Sequence, residues 1–190
     1  MKKTLKKPGV SLALIMLVIL YGSCDKLKDK LFDAFTTGMT DVSLTIPVVS
    51  STTGEGKIET LPIFVNVDSI IKANTGGIFS LNSVSKITVE SADLTINNPD
   101  AGNNLANFES GLLLFNTLNP QTNDWNTPMG VGPGDITDNY ATSLSFALIP
   151  DVNLKEHLRG TKVIYFYGYK ARRVTTKSLS CTIRMKLKIE

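Results

Sequence analysis

The chain has one histidine and one tryptophan, His157 and Trp125, and only two cysteines, Cys24 and Cys181. A single imidazole excludes multi-histidine metal centres. Two thiols exclude a disulfide scaffold and any cysteine-rich zinc module. Lysine and arginine are absent from the whole stretch between Ile87 and Leu154. A bilayer-spanning helix needs roughly 20 apolar residues, and the longest apolar run, Val10–Tyr21, holds 12. No Gly-x-Ser-x-Gly elbow occurs, and the glycines of GVGPG at 130–134 include a proline and precede no helix, unlike a phosphate loop. What is present is a chain of 190 residues, 42% hydrophobic and 19% charged. That balance excludes a disordered chain or a coiled coil and fits one domain with an appendage.

The formal charge of +3 depends on four lysines, Lys2, Lys3, Lys6 and Lys7. Without them the basic and acidic residues nearly cancel, so composition gives no argument for nucleic-acid binding. Those lysines, the apolar run and the small residues Gly22 and Ser23 have the layout of a secretory signal. As a helix the run would measure about 18 Å, too short for a hydrocarbon core of about 30 Å.

Small residues directly before a cysteine, after an apolar run, resemble the lipobox of bacterial lipoproteins. Gly22, Ser23 and Cys24 carry the match, and the looser Bacteroidota form accommodates Tyr21. The resemblance implies cleavage before Cys24 and a diacylglycerol on its thiol. Residues 1–23 are then a signal peptide, 24–40 an anchor and tether, and 41–190 the folded domain. It also implies attachment to the cell envelope, at the outer membrane, with the lipid as the membrane partner. Each buried acyl CH₂ contributes about 0.8 kcal/mol, so two or three chains hold such a protein lastingly. A Cys24–Cys181 disulfide is the alternative use of the thiols; it is disfavoured because Cys181 falls on the apolar side of a strand pattern.

Leu27, Leu31, Phe32 and Phe35 recur at helical spacing, which predicts a short amphipathic helix in the tether. From residue 41 the period becomes two. Val42–Val48 reads as an edge strand because Pro47 cannot donate to a ladder. Ser50–Gly56 has turn composition, and Leu61–Val67 reads as a strand. Asp68 is placed to cap a short helix through Lys72. Ile87–Ile96 is a long strand whose phase slips near Ser91 and Ala92, as at a bulge. Phe108–Phe115 and Leu144–Leu148 are further strands. Between them, residues 116–140 show no periodicity over a length beyond the roughly 12–15 residues of an ordinary loop. Asp151–Leu158 suits one or two helical turns. Val163–Lys170 and Ser178–Glu190 close the chain; in the latter Leu179, Cys181, Ile183, Met185, Leu187 and Ile189 point one way and Arg184, Lys186 and Lys188 the other. Seven or so strands with one or two short helices predict an all-β, antiparallel β-sandwich, immunoglobulin-like or jelly-roll. The pattern resembles, in a general way, the small Bacteroidota-type envelope lipoproteins with such a domain.

Charge is segregated: the stretch without basic residues carries acidic ones throughout, and residues 155–190 are strongly basic. Pairing of acidic with basic strands accounts for this. The other reading is a bipolar molecule whose basic surface, Arg172, Arg173, Arg184, Lys186 and Lys188, meets anionic lipid or polysaccharide. Trp125, set among Asn123, Asp124 and Asn126, suits a sugar ring, or else pins its own loop. Tyr165, Tyr167 and Tyr169 share one strand face. They form an exposed contact ladder if Ile164 and Phe166 face the core, and ordinary packing if they do not. Asp100, Asn103, Asn104, Asp135 and Asp138 offer oxygen ligands of the kind calcium takes, but in turn-forming contexts, so no metal is expected. His157 lies in a polar segment and no nucleophile accompanies it, so no enzyme and no cofactor is expected. A carboxylate pair for polysaccharide hydrolysis leaves no local signature and stays as a third reading. The leading expectation is a non-enzymatic binding or adhesion module for a glycan or envelope protein, with no nucleic-acid partner. The second is a structural scaffold component of a larger envelope complex.

Overall fold

In the computed structural model the described residues are 34–118, 129–150, 152–159 and 162–190. The calls on Cys24, on the 25–33 helix and on Trp125, Asn123, Asp124 and Asn126 lie outside them. Ten strands are described: β1 (Phe35–Gly38), β2 (Val42–Ile46), β3 (Glu55–Glu59), β4 (Ile63–Phe64), β5 (Ile87–Ile96), β6 (Phe108–Thr117), β7 (Met129–Asp135), β8 (Ser143–Ser145), β9 (Lys162–Ala171) and β10 (Leu179–Ile189). One helix, α1 (Val67–Asn74), lies between β4 and β5.

All pairings are antiparallel and form two sheets. The first runs β2-β10-β5-β8, with β1 beside β2 on the same edge of β10; the second runs β3-β9-β6-β7, with β4 beside β3 on the same edge of β9. With each split edge counted once, eight strands pass between the sheets at every step but β6 to β7, which is the order of a jelly roll rather than an immunoglobulin domain. β10 is the cleanest element. Leu179, Cys181, Ile183, Met185, Leu187 and Ile189 are all buried, while Ser180, Arg184, Lys186 and Lys188 are exposed.

Several boundaries differ from the sequence reading. The folded unit starts at Ala34 rather than residue 41, because β2 covers only Leu179–Ile183 of β10 and Phe35–Gly38 takes up the remainder of that edge, opposite Lys186–Ile189. Phe35 is therefore in a strand, not on a helix face. The turn-like segment ending at Gly56 contributes to β3, whose polar sequence EGKIE hides its period. α1 is capped by Asn66, whose side chain accepts from Ser69 N at 3.0 Å, and not by Asp68. Asp68 instead accepts Leu81 N at 2.8 Å, tying the following turn to the helix. The expected turns before Gly160 reduce to one 3-10 turn, His157–Arg159. The phase slip in β5 is an irregularity opposite Lys186 and Leu187, where Glu90 is the extra residue.

The long excursion at 116–140 is not all loop. Met129–Asp135 pairs with β6, but its glycines carry no side chain to show a period. Two of them are there for space: a Cβ at Gly134 would lie 2.7 Å from Leu144 Cδ1, and one at Gly132, where φ is +115°, 2.1 Å from the Ala147 carbonyl oxygen.

Candidate functional site

The tyrosines of β9 face the core. Tyr165 and Tyr167 are each 1% exposed, and Tyr169 is half-buried. Their rings pack on Phe115, Phe146 and Phe108 respectively. Burial pushes the phenol ionisation of all three upward. This corrects the exposed-ladder reading: Tyr165 and Tyr167 are packing residues. Room for them comes from glycines on neighbouring strands, since a Cβ at Gly111 would sit 2.9 Å from the Tyr167 hydroxyl. That hydroxyl is buried without a hydrogen-bond partner.

Turning the tyrosines inward turns the other side of β9 out, and that side carries Ile164 and Phe166 between Lys162 and Lys170. By the same alternation the outer face of the second sheet carries Leu112 and Leu114 from β6, Ile164 and Phe166 from β9, and Phe64 from β4. Leu112 is 40% exposed and Phe64 73%. Lys57 Nζ lies 4.6 Å from the Phe166 ring centre, and Lys162 Nζ 5.5 Å from that of Phe64. Glu55, Lys57 and Glu59 alternate in sign along the β3 edge, and Lys170 pairs with Glu109 at 2.5 Å. At the far end Ile164 and Asn116 are buried, and Asn116 Oδ1 has no hydrogen-bond partner.

The outer face of the first sheet is the opposite in kind. Ser43, Thr182, Thr95 and Ser143 stand in one row across four strands, and Asp41, Arg184, Asp93 and Ser145 in the next. No apolar side chain interrupts it among the described residues. The two outer faces thus differ: one is polar throughout, and the other has an apolar centre with charged residues around it.

Four of the basic residues after position 154, Lys170, Arg172, Arg173 and Lys177, meet carboxylates of the acidic stretch, and others pair elsewhere. Arg173 meets Asp138 at 2.5 Å, with Arg172 at 3.7 Å from the same carboxylate. Arg172 also donates to the Ala106 and Ile136 carbonyls. Lys177 meets Asp100 at 2.6 Å, Arg184 meets Asp41 at 2.7 Å, and Lys188 meets Glu190. Of the five basic-surface candidates, Lys186 alone has no ion pair among the described residues. A continuous cationic surface is therefore not what these five build. The oxygen-rich loop is likewise committed to structure. Asp100 accepts from Gly102 N and Asn103, and Asn103 and Asn107 reach across to Thr176 and the Val174 carbonyl. Lys177, Asn103 and Gly102 together hold the Asp100 carboxyl at about 2. Among the described residues no group of three or more His, Cys, Asp or Glu side chains is placed to hold a metal ion. Cys181 is free and buried, and desolvation pushes its thiol up to about 12, which keeps it protonated.

Sequence reasoning missed a polar cleft of about 350 Å³ between α1 and the 3-10 turn at His157–Arg159. It is lined by Asp68, Lys72, Ser80, Leu81, Asn82 and Arg159. These residues come from three separate segments, so no local motif announces them.

No family model matches the chain, and no curated protein matches it. Solved structures give weak matches. A structure of infectious bursal disease virus Gt strain aligns with TM-score 0.40 at 10% identity over 82% of this chain. A crystal structure of the infectious bursal disease virus VP2 subviral particle aligns with TM-score 0.35 at 12% identity over 83% of it. Desmodium yellow mottle tymovirus aligns with TM-score 0.26 at 10% identity, covering 80% of this chain and 87% of that one. The chain spans about a third, 32%, of the length of the two infectious bursal disease virus chains.

Proposed function

We propose that this chain is a lipid-anchored protein of the bacterial cell envelope, tethered to the outer membrane through Cys24, that acts as a non-enzymatic binding module for a protein partner. The anchor rests on the lipobox-like sequence Gly22-Ser23-Cys24. The binding role rests on one observation: the second sheet turns Leu112, Leu114, Phe166 and Phe64 outward, while the first sheet turns out hydroxyls and charges. A free antiparallel sheet face normally alternates to polar residues. An apolar face rimmed by charge is the composition of a contact surface.

The rim favours a protein as the occupant. Glu55, Lys57 and Glu59 present both signs within one strand. With Lys162, Lys170 and Glu109 added, the rim holds three lysines and three glutamates, so it has no net charge to draw it to an anionic bilayer or a polyanion. A protein surface with an apolar centre and mixed charges at its edge complements this rim. The Phe166 ring already carries Lys57 over it, so it is not a bare platform for a sugar.

The test compares two aspartate variants in intact cells, Leu112→Asp on the apolar face and Thr45→Asp on the polar one. The proposal expects a chemically cross-linked adduct of defined mass with another envelope protein, lost in the first variant and kept in the second. Equal adduct in both variants, no adduct, or an adduct of twice the chain's own mass would overturn it.

A further inference from the structure

We infer that the cleft between α1 and Arg159 is a second binding site, for an acidic saccharide. Its volume of about 350 Å³ suits one sugar ring. Two cations line it, Lys72 and Arg159. Lys72 Nζ gives one N–H to Asp68 Oδ2 at 2.6 Å and retains two. Arg159 gives Nε and one Nη2 proton to Glu156 and one Nη1 proton to Asn82 Oδ1 at 2.9 Å, and so also retains two. Asn82 keeps its amide N–H groups, and the Ser80 hydroxyl is engaged only with Ser83, whose backbone N–H it caps and whose hydroxyl lies at 3.5 Å.

The carboxylates are arranged to hold these groups in place rather than to quench them. Asp68 accepts Leu81 N with one oxygen and Lys72 with the other, which fixes the turn that carries Ser80 and Asn82. Glu156 grips the guanidinium from its Nε side and does not line the cleft. The lining therefore has two cations against one carboxylate and an excess of donors. A carboxylate on the ligand satisfies the cations. Ring hydroxyls, which both donate and accept, satisfy Asn82, Ser80 and the remaining lone pairs of Asp68. A simple inorganic anion would use only the first set, and a neutral sugar only the second. The site does not involve the apolar sheet face, so it stands or falls independently of the protein-partner reading.

The test is an NMR titration of the full-length chain in detergent with glucuronate, glucose and inorganic phosphate. Glucuronate is expected to shift the amides of Ser80, Leu81 and Asn82, with glucose and phosphate at least tenfold weaker. Asn82→Ala and Arg159→Gln each weaken glucuronate at least fivefold. Asn82 makes no contact that builds the fold beyond Arg159, so Asn82→Ala leaves the melting temperature unchanged and separates binding from folding. Leu112→Asp leaves glucuronate binding intact. No localised shift, phosphate binding as tightly as glucuronate, glucose binding as tightly, or indifference to both cleft variants would overturn the assignment.

Discussion

Gly56 on β3 lies under the ring of Tyr169 on β9: a Cβ built on the glycine would meet Tyr169 Cζ at 2.1 Å. The two are paired across the strands, and the absence of a side chain on one is the space occupied by the other. Gly56→Ala is expected to displace the ring and destabilise the fold by about 1–3 kcal/mol. In the Tyr169→Ala background the same change should cost far less. A double-mutant cycle read by denaturant unfolding checks this, and additive effects would contradict it.

The Tyr167 hydroxyl is buried and unpartnered. An unsatisfied buried polar group costs about 1–3 kcal/mol, so Tyr167→Phe is expected to leave stability equal or higher. A loss above about 1 kcal/mol would show that the hydroxyl has a bond this account lacks.

Cys181 is fully enclosed in the core, with its thiol held protonated. A thiol-reactive dye at pH 8 should leave it untouched in the folded Cys24→Ala protein and label it once in guanidinium chloride. Rapid labelling under native conditions would contradict the packing of β10.

Asp100 is held at about 2 by Lys177, Asn103 and Gly102. A carboxyl depressed in the folded state stabilises it above the unfolded value, near 3.9, and loses that contribution as pH falls through the folded value. The stability difference between the protein and Asp100→Asn should therefore be constant near neutrality and shrink between about pH 4 and pH 2. A difference independent of pH across that window would contradict the pairing. An NMR titration of the Asp100 carboxyl gives the same answer directly.

Legibility in the sequence followed the side chains. β10 could be read residue by residue because every inward position is apolar and every outward one polar. β9 could not be oriented, because Tyr165 and Tyr167 on one side and Ile164 and Phe166 on the other are all large and apolar. What decides its facing is not in β9 but in Gly56 and Gly111 on the flanking strands, which leave room for rings on one side only. β7 was lost for a related reason, since Gly130, Gly132 and Gly134 give no period to read. The segregation of charge was plain in the sequence, whereas its partners were not: Asp138 meets Arg173 only because the β9–β10 turn returns to the loop after β7. The cleft of Lys72, Asn82 and Arg159 was invisible for the same reason, being assembled from segments far apart in the chain.

The central claim is that the two outer faces differ in purpose. Its most direct measurement places a photo-activatable cross-linking residue at position 112 or, separately, at position 45, in full-length protein made in intact cells. The account predicts a discrete protein adduct from position 112 under brief irradiation and none from position 45. Adducts of equal yield from both positions, or none from position 112, would contradict it.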